Sequence, residues 1–296
     1  MAELASAPRI DTSLVARLIS HQFPRWAHLP LEPVASAGSD NAIFRLGPDL
    51  AVRLPKRESA APQAQREHQW LPRLAPALPL LAPVPIAVGA PAFDYPWSWC
   101  VVPWLPGEDA FHAPPDDLAQ AARDLAGFLM ALRTADPTGG PAAGRENSGR
   151  GVPLRYLDAR VRRDVQALGG EIDGPAVLRV WEQALAAAEW SGPGAWVHGD
   201  LHPSNLLVRG GRVVGVLDFG LLGVGDPACD LFVAWSLLDA RARPVLRQGL
   251  DCDEAMWLRG RGWAVFNAVI ALAFYLTTNP TLCAMSRRTL DEVVAA

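Results

Sequence analysis

A chain of 296 residues exceeds the usual single-domain size, so two closely joined lobes with ample surface to bury are expected. With 50% hydrophobic and 20% charged residues it is too apolar for a disordered chain. A net charge of −4, a sequence pI near 5.9 and no Lys/Arg run argue against a nucleic-acid partner.

The first residues, MAELASAPRIDTS, lack a basic region followed by an apolar core, so no secretory signal is read there. An amphipathic helix follows at Ser13–Phe23, with Ser13 as its expected N-cap. From Val34 to Leu54 short strands alternate with turns. The stretch AIFRLGPDLAVRLP reads as a hairpin of Ala42–Leu46 and Leu50–Leu54 around Gly47-Pro48-Asp49, ended by Pro55. A helix is predicted over Gln63–Leu74, where Glu67, Leu71 and Leu74 share one face; an acid on an apolar stripe calls for a partner. The strand WSWCVVPWL leads into Pro106-Gly107-Glu108, read as the connection between lobes.

From Asp116 the pattern turns helical, with Leu118, Leu125, Leu129 and Leu132 on one stripe. The Pro/Gly-rich tract Asp136–Gly151 has no periodicity and reads as an exposed loop. Helices are expected again at Leu154–Leu168 and Pro175–Glu189. Strands are then read at Trp196-Val197 and Val213–Leu217 with a Gly210-Gly211 turn between them, and helices follow Asp226-Pro227 to the end. The longest nearly apolar run, Gly262–Leu276, contains Asn267 and is too short for a membrane span. Cys100, Cys229, Cys252 and Cys283 are scattered in apolar settings and read as buried, reduced thiols. The expectation is an α+β chain: a β-rich lobe over 1–105 and a mainly helical lobe over 106–296, soluble, cytoplasmic, monomeric and without a membrane partner.

Chemistry concentrates in WVHGDLHPSNLLVRGGRVVGVLDFG, Trp196–Gly220. Its polar residues fall on loops at strand ends, where function usually sits. Asp200 and Asn205 lie on one loop and Asp218 at the end of the next strand. Asn and Asp oxygens are hard ligands suited to Mg²⁺, which lets substrate phosphates supply its remaining ligands. A carboxylate left over beside such a metal can orient an alcohol and accept its proton, as in phosphoryl transfer.

HGDLHPSN followed by LDFG resembles the catalytic and metal loops of the aminoglycoside phosphotransferase family, small-molecule kinases with a protein-kinase-like bilobal fold. The resemblance extends, less sharply, over most of the chain from Val34. It implies transfer of the γ-phosphate of ATP or GTP to a hydroxyl of a small-molecule acceptor, with Mg²⁺ as cofactor. Asp200 then resembles the catalytic base, with His198 organising the catalytic loop beside it, and Asn205 and Asp218 the Mg²⁺ ligands. Asp230 resembles the carboxylate that holds the loop's backbone; a favourable charge at a helix start is the alternative.

For the nucleotide, the resemblance points to the phosphate-covering loop SAGSDN, Ser36–Asn41, with Gly38, Ser39, Asp40 and Asn41 as donors. It departs from G-x-G-x-x-G. The phosphate-clamping lysine is replaced by Arg53 in LAVRLP, with Glu67 as its ion-pair partner. Lys56, the only lysine in the chain, lies beyond Pro55 and is expected in solvent. The connector with Trp104 and Leu105 is expected to meet the purine through backbone groups.

After Phe219, where the resemblance places the acceptor, acids and bases are nearly balanced, which lowers the case for a polycationic aminoglycoside without excluding it, while aromatic residues such as Trp235 and Trp257 offer surface for a bulkier, more apolar acceptor such as a macrolide. The leading expectation is an antibiotic acceptor, an aminoglycoside or a macrolide; an amino alcohol or sugar of metabolism and a silent nucleotide-binding role are the alternatives.

Overall fold

Alternation along the strands explains the first part of the structure, a computed structural model that describes residues 8–35, 38 and 40–296. The chain divides into two compact units, Met1–Pro76 with Ala82–Pro106, and Ala77–Leu81 with Gly107–Ala296.

In unit 1, β1 (Leu31–Val34), β2 (Asn41–Leu46), β3 (Leu50–Pro55), β4 (Ala87–Gly89) and β5 (Trp99–Pro103) form an antiparallel sheet in the order β1-β2-β3-β5-β4. Phe44, Leu46, Val52, Leu54, Trp99 and Val101 face helix α1 (Thr12–Gln22) through Leu14, Val15, Leu18 and Ile19. Full burial of Leu18 or Ile19 contributes about 1.5–3 kcal/mol each. Ala51, Cys100 and Val102 project the other way, against Ala64 of helix α2 (Gln63–Leu74). Arg53 shares that second register and pairs with Ile43 and Cys100 across the sheet. The α1 cap differs from the sequence expectation: Asp11, not Ser13, accepts the Leu14 N–H at 3.0 Å. An ionised carboxylate at this end also meets the positive pole of the helix dipole.

In unit 2, β6 (Glu108–Asp109), β8 (Leu206–Arg209) and β9 (Arg212–Val216) form one sheet, and β7 (Ala195–Val197) pairs with β10 (Gly223–Gly225). Trp196-Val197 therefore does not pair with Val213–Val216 as the sequence suggested. Leu206–Arg209 takes that place, turning through Gly210 and Gly211 at φ 57° and 72°, both in the left-handed range a two-residue hairpin turn needs. Around these strands lie α3 (Leu118–Thr134), α4 (Asp158–Leu168), α5 (Gly174–Ala186), α6 (Val233–Ser236), α7 (Arg243–Gly249), α8 (Glu254–Tyr275) and α9 (Pro280–Ala295).

Helix α8 is apolar on nearly all sides because its neighbours surround it: a Cβ on Gly260 would lie 2.6 Å from Leu231, and one on Gly262 2.5 Å from Ala184. No helix among the described residues is long and apolar enough to cross a membrane. All four cysteines are buried and unbridged.

The tract Asp136–Gly151 is also more than an exposed loop. Ala143 N–H donates to Val224 O at 2.9 Å and Val224 N–H to Pro141 O at 2.8 Å, so the tract lies along β10, and Asn147 and Arg150 are buried. Bonds to a distant strand replaced the periodicity that a sequence reading looks for.

Candidate active site

The catalytic loop is held from beneath by Asp230. Its two carboxylate oxygens accept the N–H groups of His198 and Gly199 at 2.7 and 2.8 Å. Burial pushes the Asp230 pKa up to about 7, against the pull of those two donors toward the ionised form. Gly199 turns at φ 84°, and a Cβ there would stand 2.7 Å from Leu221 O and 3.0 Å from the Arg150 side chain. Only glycine fits.

His198 is fully buried, and its ring joins the two strand ends. Nδ1 accepts the Asp200 N–H at 3.1 Å, so the proton of the neutral ring belongs on Nε2, which donates to Leu217 O at 2.9 Å. Desolvation lowers its pKa and keeps it in that form. The buried Phe219 ring meets it edge-on at 4.6 Å. With both nitrogens occupied, His198 organises the loop and has no proton to exchange with a substrate.

Asn205 closes a 3-10 turn over Pro203–Asn205. Its side-chain amide nitrogen donates to the Asp200 carbonyl at 2.9 Å and to the Asp200 carboxylate at 3.3 Å, while its backbone carbonyl accepts the Leu217 N–H at 2.8 Å. The last bond brings Asp218, next along the chain, to the same corner. Asp218 takes a left-handed backbone at φ 60°, uncommon outside glycine, and its Oδ1 accepts the Gly220 N–H at 3.4 Å. Engagement of the Asn205 amide nitrogen leaves its oxygen for a cation, and with the Asp218 carboxylate this makes two hard donors. That set fits Mg²⁺, which needs no more from the protein.

Asp200 is partly exposed. His202 Nε2 lies 3.5 Å from Oδ2 and Arg150 Nη2 4.0 Å from Oδ1. Burial alone would raise its pKa, but His202, Arg150 and His198 outweigh that and hold it well below the usual carboxylate range.

In unit 1, Arg53 is buried and its Nη1 donates to Glu67 Oε2 at 2.7 Å. Strand register and the i, i+4 stripe of α2 bring this pair together; Lys56, the residue after β3 ends, has an exposed side chain that donates to Gly38 O at 3.3 Å. Asp40 pairs with Arg57 and accepts from Gln63 Nε2 at 2.9 Å, and Asn41 donates to Gln63 Oε1 at 3.2 Å. Ser39 lies outside the described residues, as does Ser36. The Trp104 N–H donates to Asp49 O at 2.7 Å, continuing the β3–β5 ladder past Leu50 and Pro103, so of its two backbone groups that donor is already engaged. The Leu105 N–H has no such role in the ladder.

Two residues escaped the sequence reading. Asn147 and Arg150 sit in a tract without periodicity; Asn147 bonds to Gly144 and Arg150 within its own turn, and the Arg150 side chain meets Asp200 and Phe266, far along the chain. Nothing local marks them.

A family model described as "Phosphotransferase enzyme family" matches residues 31–264. An aminoglycoside 3'-phosphotransferase of Escherichia coli is 27% identical over 147 residues, 48% of this chain and 53% of the relative. The chain thus spans about half the length of the curated relatives it matches. Among solved structures, the GDP complex of an aminoglycoside 2'-phosphotransferase superposes with TM-score 0.71 at 17% identity, covering 97% of this chain and 99% of the other. The macrolide 2'-phosphotransferase of Brachybacterium faecium gives TM-score 0.61 at 23% identity, covering 94% and 98%. At such identities the likeness establishes the fold.

Proposed function

This chain belongs to the phosphotransferase enzyme family, and we propose that it is a Mg²⁺-dependent kinase moving the γ-phosphate of ATP or GTP to a hydroxyl of an antibiotic-like small molecule. One observation carries the reading: Asp200, Asn205 and Asp218, from two separate segments, are tied into one corner by the Asn205–Asp200 and Leu217–Asn205 hydrogen bonds. Asn205 and Asp218 hold the metal, which when bound supplies charge neutralisation to the phosphate oxygens. Asp200 orients the acceptor hydroxyl. Its low pKa suits a base that takes the proton late, after the bond to the leaving phosphate has loosened.

Arg53, steadied by Glu67, serves the phosphates; its planar guanidinium can grip them in bidentate fashion where a lysine would act as a point charge. Gly38, Asp40 and Asn41 with Ser39 border the phosphates, and Leu105 offers the connector's N–H to the base. The corresponding division of labour assigns 1–105 to the nucleotide and 106–296 to catalysis and acceptor, in a monomeric cytoplasmic enzyme.

Among acceptors, the reading favours a macrolide-like molecule over a polycationic aminoglycoside. Asp226, Glu254 and Glu292 are paired with Arg259, Arg247 and Arg243. Asp230 holds the catalytic loop, and Asp239 and Asp253 accept N–H groups at helix starts. Of the acids after Phe219, the buried Asp226 and the half-buried Glu292 are neutralised by arginines and Asp230 by its place under the loop, which thins the negative charge a polycation would meet. The test is a panel of macrolides, aminoglycosides, amino alcohols and sugars with ATP or GTP and Mg²⁺, following phosphate incorporation. Transfer to macrolides is expected. Transfer only to a metabolite overturns the antibiotic assignment, and nucleotide binding with no transfer to anything overturns the enzyme.

A further inference from the structure

Arg150 is a buried cation beside the Asp200 carboxylate with two donors that nothing satisfies. Only 6% of it is exposed, yet Nε and Nη1 have no hydrogen-bond partner, and Nη2 stands 4.0 Å from Asp200 Oδ1, beyond hydrogen-bond reach. Burying donors this way is destabilising, so the arrangement asks for a reason. The guanidinium lies over the Phe266 ring, 5.2 Å from its centroid, which partly offsets its desolvation.

The side chain is fixed at its root. Asn147 Nδ2 donates to Arg150 O at 2.8 Å, Asn147 Oδ1 accepts the Gly144 N–H at 2.9 Å, and the Asp226 N–H donates to Gly151 O at 2.8 Å. The Arg150 stem then passes over Gly199, whose absent Cβ would lie 3.0 Å from the Arg150 Cβ and Cγ. Position 199 stands where the H-R-D motif of protein kinases carries arginine. Glycine here opens the space through which an arginine from another loop reaches the catalytic carboxylate. On the opposite side, Asp200 Oδ2 meets Asn205 Nδ2 at 3.3 Å and His202 Nε2 at 3.5 Å.

We propose that Arg150 is a positioning residue for the catalytic base, fixing the Asp200 carboxylate from the Oδ1 side while Asn205 and His202 fix it from the Oδ2 side. The inference rests on the phosphotransferase reading. In the step it serves, the acceptor oxygen bonds to the γ-phosphorus as its O–H proton passes to Asp200. The bond from γ-phosphorus to the bridging oxygen breaks, and the nucleoside diphosphate leaves with that electron pair. A carboxylate free to swing would meet the hydroxyl in fewer productive geometries.

The test uses the full chain as wild type, Arg150→Met, Arg150→Lys, Asp200→Asn and the Met/Asn double variant. Turnover is followed with ATP or GTP, Mg²⁺ and whichever panel compound the wild type phosphorylates, and unfolding is followed in urea. Arg150→Met is expected to lower kcat ~10²-fold, the scale of a misplaced reacting group, with nucleotide KM changed less than about twofold. Arg150→Lys restores most of kcat, and in the Asp200→Asn background the Met substitution removes nothing further. The two substitutions are also non-additive in unfolding.

A kcat within about threefold of wild type for Arg150→Met, or losses that simply multiply in the double variant, would overturn the proposal. Arg150→Gln, uncharged but polar, takes the same place in the comparison if the Met variant does not fold. A wild type that phosphorylates nothing in the panel defeats the functional reading instead. The unfolding cycle then decides by itself: additive effects overturn the Arg150–Asp200 coupling, and non-additive effects sustain it.

Discussion

The loop from His198 to Asp218 in unit 2 and the segment from Gly38 to Glu67 in unit 1 hold their charged groups by different means. In the first, backbone groups do most of the holding: Asp230 grips two N–H groups, His198 bridges an N–H and a carbonyl, and Asn205 receives the Leu217 N–H. In the second, side chains hold side chains: the buried Arg53–Glu67 pair joins β3 to α2, and the buried Asn41–Gln63 hydrogen bond joins β2 to it. A frame made of backbone bonds tolerates substitution of a charged group without loss of shape. A frame that includes a buried ion pair does not, because removing either partner leaves a charge in a dry setting. Substitutions in the two regions should therefore separate: chemistry lost with fold intact in the loop, and fold and binding lost together at the pair.

The largest effect is expected from Asp218→Ala. Phosphate transfer falls to background and no excess of Mg²⁺ restores it, as an assay across a Mg²⁺ series would record; normal turnover would remove Asp218 from the metal site. Asp200→Asn comes next. It keeps volume and hydrogen bonding, so kcat should drop ~10²–10⁴-fold while melting temperature and nucleotide affinity stay close to wild type. A turnover near normal would reject Asp200 as the base.

Arg53→Ala tests the other frame. Loss of one partner of a buried pair should destabilise the chain by about 3–5 kcal/mol in urea unfolding and weaken nucleotide binding in the same preparation. Full stability would show that the pair is not what joins β3 to α2. Asp230→Ala removes the acceptor of two buried N–H groups, a destabilisation of about 1–3 kcal/mol. Amide exchange at His198 and Gly199 should speed up, and unchanged exchange would count against Asp230 as the loop's anchor. Lys56→Ala should do least, shifting stability by less than about 0.5 kcal/mol, since the side chain is exposed. A large loss of nucleotide binding there would move the phosphate contact from Arg53 to Lys56.

Much of this was legible because it is local. The spacing of Asp200, Asn205 and Asp218 sits within one hairpin and its flanks, so the chain order itself brings them close. The α2 helix begins and ends at Gln63 and Leu74 as the apolar stripe predicts; period-two alternation puts Arg53 on the face of Ala51, and Pro55 ends the strand before the exposed Lys56. Glu67 could be singled out because an acid on an apolar stripe is anomalous whatever packs on it.

What depended on tertiary structure was every choice between local equals. Trp196-Val197 could pair with any short strand, and β10, only Gly223–Gly225, carries too little pattern to announce itself; long-range hydrogen bonds selected it. Asp11 and Ser13 are both good caps, and the entry angle of the chain chose the aspartate. The Trp104 N–H is taken by Asp49 O because the β3–β5 register carries one bond past Leu50 and Pro103, a pairing that only the partner strand decides. Arg150 was invisible for the same reason. Its meaning lies in Gly199, Asp200 and Phe266, and a sequence records which residues a chain has, while the closeness of distant ones is set by how its apolar faces are buried.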